Sequence, residues 1–353
     1  MSSTIYTRTD LHRRAADYFR EIAADQENWK SFRVIEPQLF EFEHRMLAKD
    51  TLTAAKLMNE LDFQFPPKTS YLFTWGYVQR AKEMRARLVP LLVDEELCWM
   101  NFYQLGLAYT RLGEISDAIA AHENALALAE SIGVQDKIGA TLLYLGLAHF
   151  HNSAFEQAIQ YYLQALPLNK DTNLEGNTLG HLGNAYAAMG RFEDGIEYLE
   201  KAIELNKSQQ AKRSEAFWLG RLGDTYIKRA IEYYDKAIEL IEQGVEISRD
   251  IGDKQIEIYH LISLGDLYSQ RSQRSKAVEF FRTAIELAQE IGDRWNEVIS
   301  AWKLGLLYED SDPARAMILM SERVAYEREN EMPDLAQHEN KLKEVENRLQ
   351  RNH

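Results

Sequence analysis

Along most of the chain apolar positions recur at spacings of three and four, the period of an amphipathic helix, and no stretch reads as a strand. The helical pattern itself repeats. LGLAYTRLGEISDAIAAHENALAL at 105–128, LGHLGNAYAAMGRFEDGIEYLEKAIEL at 179–205 and LGDLYSQRSQRSKAVEFFRTAIEL at 264–287 share one order of residues. The glycine of each LG phrase falls at Gly106, Gly146, Gly183, Gly223, Gly265 and Gly305, with spacings of 40, 37, 40, 42 and 40 residues. Within a unit an apolar residue lies four before the glycine, Leu one before and usually Tyr three after. Alanines fall twelve and nineteen after it, as at Ala118 and Ala125, Ala158 and Ala165, and Ala277 and Ala284. Such small residues at fixed places let two helices approach closely. Turns at 112–114 and 189–191 separate the two halves, so each unit is predicted to be a helix–turn–helix hairpin.

A second punctuation joins the units. Gly133, Gly252 and Gly292 suit the left-handed position that ends a helix, and Asp253 and Asp293 suit the cap of the next one. A period near 40 residues means stacked supersecondary units, each covering the apolar face of its neighbour. The pattern resembles the tetratricopeptide repeat, whose usual length is about 34 residues, with two helices longer here by roughly 9 Å in total. The expected fold is all-α, a right-handed α-solenoid, with 1–95 as N-terminal helical hairpins off the repeat register, six repeats over 96–330 and a polar capping helix over 331–353. Two units depart from the period. Repeat four has two extra residues between Tyr226 and Ala237, read as a longer first helix. Repeat six is one residue short, with Asp312 as a cap and Pro313 at the first helical position. In the N-terminal part, Leu11, Ala15, Tyr18, Phe19 and Ile22 form one apolar helix face, a hairpin turns at Lys49–Asp50, and Pro66 and Pro67 break the pattern.

Charge narrows the partners. The formal net charge is −14, unfavourable for binding phosphate backbones. The one basic cluster, Arg80, Lys82, Arg85 and Arg87, reads as a solvated helix face. The longest stretch without a formal charge, 138–155, carries His149, His151, Asn152 and Ser153 and does not read as a membrane span. The N-terminus lacks an apolar signal region, and the single cysteine, Cys98, agrees with a reducing compartment. The expectation is a cytoplasmic protein without nucleic-acid or membrane partners.

No chemistry stands out. HENAL at 122–126 and HENKL at 338–342 open like the zinc-protease helix but end in Leu where a second histidine ligand belongs. His149 and His151 read as packing or surface residues, and Cys98 as a small buried hydrophobe. No metal, cofactor or catalytic residue is expected.

The tetratricopeptide resemblance implies that the first helices line a concave groove. Residues six and three before the glycine, and one, four and five after it, would point into it. These slots hold Tyr103, Leu107, Leu143, Leu147 and Phe150 in repeats one and two, and Asn177, Gly180, Asn184, Gly220, Asp224, Tyr259 and Asp266 in repeats three to five. Repeat six adds Trp302, Glu309 and Asp310, so the groove would pass from apolar to small, polar and acidic. Gly180 and Gly220 have two readings: a floor that lets a bound segment approach the backbone, or relief of helix–helix contact. Asn184 matches the asparagine with which such grooves hold a ligand's backbone. The expected ligand is a protein or peptide segment with apolar and basic residues.

The segments TDLHRRAADYFREI, EPQLFEFEHRMLAKDTLTAAKLMNEL, LFTWGYVQRAKEMRARLVPLL and AYERENEMPDLAQHENKLKEVENRL resemble the sensor half of bacterial signal-transduction ATPases of the NB-ARC/NACHT type. That resemblance implies a module that holds a preceding nucleotide-binding domain inactive until a ligand docks on the repeats, with the basic cluster at 80–87 as a candidate joint contact. No glycine here is followed by lysine, so the P-loop of such an ATPase is not in this sequence. A free-standing adaptor and a peptide-pheromone-responsive regulator share the same fold and groove.

Overall fold

The computed structural model describes residues 7–22, 36–62, 78–172, 174–229, 233–330, 332 and 334–351, and among them every regular element is helical. Among the described residues four helices precede the repeats: α1 (Arg8–Ile22), α2 (Glu36–Leu47), α3 (Thr51–Asp62) and α4 (Val78–Leu88), the last followed by a 3-10 turn at Val89–Leu91. The repeats follow as pairs of first and second helices. Repeat one is α5 (Glu95–Leu112) with α6 (Ile115–Ile132), and repeat two is α7 (Gln135–His151) with α8 (Phe155–Leu168). Repeat three is α9 (Glu175–Ala188) with α10 (Phe192–Ser208), and repeat four is α11 (Lys212–Arg229) with α12 (Tyr234–Asp250). Repeat five is α13 (Lys254–Gln270) with α14 (Arg274–Ile291), and repeat six is α15 (Arg294–Tyr308) with α16 (Pro313–Glu329). Helix α17 (Leu335–Arg351) comes last. This is the all-α, hairpin-stacked architecture of the solenoid class. The Pro66–Pro67 break lies outside the described residues.

The chain packs as two compact units, 1–178 and 179–353, dividing within α9. The edges at 95/96 and 330/331 belong to the repeat register and are not seams in the packing. Met84 and Leu88 of α4 share a core with Ala108 of repeat one, and Val345 of α17 shares one with Trp302 and Met320 of repeat six.

One contact explains the repeated glycine. In every repeat it lies against a bulky residue of its own second helix, where any side chain would collide. A Cβ at Gly106 would fall 2.6 Å from the His122 ring, at Gly146 2.6 Å from Tyr162, and at Gly223 2.5 Å from Ile241. At Gly265 the neighbour is Phe281 at 2.5 Å, and at Gly305 it is Met320 at 2.6 Å. At Gly183 the backbone itself is closest, the Gly195 carbonyl oxygen at 2.8 Å, with Leu199 at 2.9 Å. Alanines 118, 125, 158, 165, 277 and 284 are all 0% exposed, which completes the close approach expected of them. The irregular units keep this contact. The stretch of repeat four that carries the two extra residues, expected as a longer first helix, includes 230–232, which lie outside the described residues.

The helix ends follow local chemistry. Gly113, Gly133, Gly190, Gly252 and Gly292 have φ between 68° and 78°, and open space surrounds each one, so backbone conformation alone selects glycine there. Asp253, Asp293 and Asp312 each accept a cap bond from a backbone N–H three residues on, at 3.1 Å. Ser153 and Ser272 occupy the intra-repeat turn with φ of 58°, where a Cβ is strained. Replacing Ser272 by Gly is therefore expected to raise stability by about 0.5–1 kcal/mol, read as a higher urea midpoint; an unchanged or lower midpoint would refute the strain.

The N-terminal part corrects two expectations. The α1 face expected to be buried is largely open: Leu11 is 55% and Tyr18 56% exposed, while Ala16 is fully buried. Phe19 of that face does pack, stacking on Phe40 and His44 at ring distances of 5.1 and 5.6 Å. The basic cluster is a solvated face only in part, at Arg80 and Arg87. Arg85 is 1% exposed and donates to Asn101 at 3.2 Å and to the Met58 carbonyl at 3.3 Å. Lys82 pairs with Glu114 at 2.7 Å and Arg87 with Glu43 at 2.8 Å. Only Arg80, 4.0 Å from Glu43, is held loosely. The Lys49 turn stands where expected, with φ of 60°.

Candidate recognition face

The first helices of the second unit carry a stripe of half-exposed side chains six and two before each repeat glycine and one after it, a spacing of four then three along one helix face. In repeat four these are Phe217, Arg221 and Asp224; in repeat five Tyr259 and Asp266, with Ser263 buried between them; in repeat six Lys303 takes the middle place. They form a preorganised polar network. The Arg221 guanidinium lies 4.6 Å from the Tyr259 ring centroid and 5.1 Å from that of Phe217, and its Nη1 is 3.8 Å from Asp224. The Tyr259 hydroxyl donates to Asp224. Burial, with the Asp224 carboxylate beside it, pushes that hydroxyl far up, so it stays a donor. Lys303 donates to both oxygens of Asp266 at 2.8 Å. Burial raises the Asp266 carboxyl, Lys303 pulls it back down and Asp224 adds a smaller upward push. On α9, the Asn184 carboxamide is half-exposed and without a hydrogen-bond partner among the described residues.

Several expected groove residues serve the packing instead. Gly180 and Gly220 lie three before the repeat glycine and face the neighbouring first helix. A Cβ at Gly180 would fall 2.2 Å from the Trp218 ring, and at Gly220 2.6 Å from His260 and 2.8 Å from Tyr259. Both glycines relieve helix contact, the second of the two readings. Trp302, three before Gly305, is 6% exposed beneath α17, with the His338 ring packed edge-on at a centroid distance of 4.6 Å. Glu309 and Asp310 do not await a basic partner. Lys341 of α17 holds Glu309 at 3.0 Å, and Arg348 holds Glu309 at 2.9 Å and Asp310 at 2.6 Å.

In the first unit, Leu143 is 1% exposed and belongs to the core. Tyr103 is wedged against Trp99 and Tyr144 at ring distances of 5.3 and 5.4 Å, and burial beside the Tyr144 hydroxyl pushes its own hydroxyl well up. Leu107 packs on the N-terminal core. Leu147 and Phe150 are half-buried, the latter 5.3 Å from Phe155. Asn177 is half-exposed and unpartnered among the described residues. The residues that sequence reasoning missed, Phe217, Arg221, Ser263 and Lys303, were legible as the continuation of one helix face.

His122 and His338 of the two near-motifs are engaged elsewhere. His122 is 0% exposed beneath Gly106, and the His338 Nδ1 is 2.8 Å from Glu327. Among the described residues no group of three or more His, Cys, Asp or Glu could hold a metal ion, and no helix is long and apolar enough to cross a membrane. Cys98 is half-exposed rather than the buried hydrophobe expected, and partial burial with Asp94 and Glu95 nearby raises its thiol.

Tetratricopeptide repeat models match residues 96–171, 174–250 and 261–294. The chain belongs to the tetratricopeptide repeat family. No curated protein matches its sequence. Among solved structures, a Rap protein complexed with competence and sporulation factor is 15% identical with a TM-score of 0.58, over 98% of this chain and 96% of that one. The Rap conjugation gene regulator of plasmid pLS20, in complex with a peptide, is 15% identical with a TM-score of 0.59, over 92% and 96%. A signal-transduction ATPase with a tetratricopeptide repeat sensor from Pyrococcus horikoshii is 16% identical with a TM-score of 0.52, over 97% of this chain and 56% of that one. At these identities the likeness is one of fold.

Proposed function

We propose that the chain is a non-catalytic recognition module, working in the cytoplasm, that binds an extended peptide or protein segment across the first helices of its second unit. The observation that carries this is the network of Arg221, Asp224, Tyr259, Asp266 and Lys303, half-exposed and fixed by its own contacts beside the unpartnered Asn184 carboxamide. Groups fixed before binding lose little freedom on it, which favours affinity. Because Asp224 and Asp266 already face Arg221 and Lys303, the ligand is not simply basic; it carries main-chain and mixed polar groups. The peptide complex of one structural neighbour, the Rap conjugation gene regulator of plasmid pLS20, supports a peptide as ligand. Attachment to a nucleotide-binding ATPase domain, as in the sensor-bearing neighbour, is the second reading, and the shared fold supports it. There the joint cannot use Lys82, Arg85 and Arg87 without breaking their internal contacts.

The test is a displayed random heptapeptide library selected on the whole chain, followed by affinity measurement on the Asp224→Asn/Asp266→Asn double variant. That pair keeps shape and most hydrogen bonds while removing two charges. Because partly exposed pairs contribute up to about 1 kcal/mol each, the enriched peptides are expected to bind roughly tenfold more weakly. Equal affinity for both proteins removes this face from the reading, and a library without enrichment removes the reading itself.

A further inference from the structure

Helix α17 does more than close the array. It is a polar helix whose one fully buried apolar side chain among the described residues is Val345, and it leaves the first helix of repeat six incompletely covered. Between α15 and α17 lies a depression of about 430 Å3 that is open to solvent, lined by Trp302 and Leu306 on one side and by Gln337, His338, Asn340, Lys341 and Glu344 on the other. So open a depression suits one side chain of a bound segment rather than an enclosed small molecule.

The chemistry of the walls limits what can enter. Their polar groups are already engaged within the protein: Lys341 pairs with Glu309 at 3.0 Å and Glu344 at 3.4 Å, and the His338 Nδ1 lies 2.8 Å from the buried Glu327. A charged occupant would have to be desolvated without gaining a free counter-charge. What stays open is apolar surface, chiefly Leu306 at 39% exposure, and two carboxamides. Gln337 and Asn340 are exposed, and neither side chain has a hydrogen-bond partner among the described residues. A carboxamide offers one acceptor and two donors, the complement of a peptide main chain.

We infer that this cavity is an anchor pocket for an uncharged aromatic or branched aliphatic residue of the bound segment, whose main chain meets Gln337 and Asn340. It shares the first helix of repeat six with Lys303 of the recognition network, so one extended segment can engage both. The inference rests on the recognition reading above and adds a fixed position for one ligand residue.

The test uses the whole chain and the heptapeptides enriched on it. Each apolar position is replaced in turn by benzoylphenylalanine, and the photo-crosslinked residues are mapped. One position is expected to crosslink within 302–306 or 335–344, and Leu306→Glu, a change at an exposed wall, is expected to weaken that peptide about tenfold. Crosslinks confined to 217–266 together with unchanged affinity for Leu306→Glu overturn the pocket and leave the recognition face standing. A library without enrichment overturns both. Circular dichroism of Leu306→Glu matching the wild type excludes misfolding as the cause of a loss.

Discussion

Replacing Gly183 by alanine is expected to destabilise the second unit by about 2–3 kcal/mol, although alanine is the better helix former by about 1 kcal/mol. The added methyl would fall 2.8 Å from the Gly195 carbonyl oxygen and 2.9 Å from the Leu199 backbone nitrogen. Gly195 meets Gly183 in the same way, 2.9 Å from its carbonyl oxygen, so the two helices touch backbone to backbone. No rotamer change relieves such a contact; the helices must move apart and open the core around Leu199, Ala202 and Leu222. Gly305→Ala provides the comparison. There the nearest atom belongs to the flexible Met320 side chain, at 2.6 Å, and the backbone stands off at 3.2 Å. Its loss should be less than half as large. Urea unfolding of the two variants measures the difference, and equal losses would show that backbone contact is not what selects the glycine.

Acid is expected to weaken both units through two buried imidazoles. His122 and His260 are 0% exposed, and burial lowers each to about 4 from the ordinary value of 6.5. Neither His122 nitrogen has a hydrogen-bond partner, and of the His260 pair only Nε2 is served, 3.0 Å from the Ala216 carbonyl. Between pH 6.5 and 4 the unfolded chain takes up protons that the folded chain refuses. The stability these residues allow is therefore intact above pH 6.5 and falls as the pH drops, by about 1.4 kcal/mol per pH unit for each histidine. His122→Leu isolates the first of them, since Leu199 fills the same place in repeat three. Near pH 7.5 the variant should be at least as stable as the wild type, because a buried unpaired donor is removed. By pH 4 its advantage should have grown by roughly 3 kcal/mol. An advantage that stays constant from pH 7.5 to 4, measured by urea unfolding, would clear His122 of the acid sensitivity.

Much of the fold could be read from the sequence because its rules are local. The repeat glycine, the alanines twelve and nineteen residues later, the left-handed Gly113 and Gly133, and the caps Asp253 and Asp293 each act within one hairpin or one turn. The site was less legible, because its direction depends on neighbouring helices. Gly180 and Trp302 share a helix face with groove residues, yet their surroundings come from Trp218, thirty-eight residues on from Gly180, and from α17. The acidic row at Asp224, Asp266, Glu309 and Asp310 was read correctly as residues but not as charge. Its counter-ions Arg221 and Lys303 sit on the same or the adjacent first helix, and Lys341 and Arg348 on α17. In α1, Leu11 and Tyr18 had the right period and the wrong exposure, since periodicity names an apolar face without supplying the surface that covers it.

The small glycines three before the repeat glycine have a bearing on ancestry and redesign. Each repeat glycine is matched by bulk inside its own hairpin, a fit that any copy of the hairpin carries with it. Gly180 and Gly220 are matched instead by Trp218 and by Tyr259 with His260 in the following hairpin. Repeats three, four and five therefore have a reading order. A duplicate of repeat two inserted after repeat three would set the counterpart of Leu143, rather than glycine, against the Trp218 ring. Growth or shuffling of this array is open where neighbours meet through interchangeable side chains, and closed at these two joints unless both partners change together.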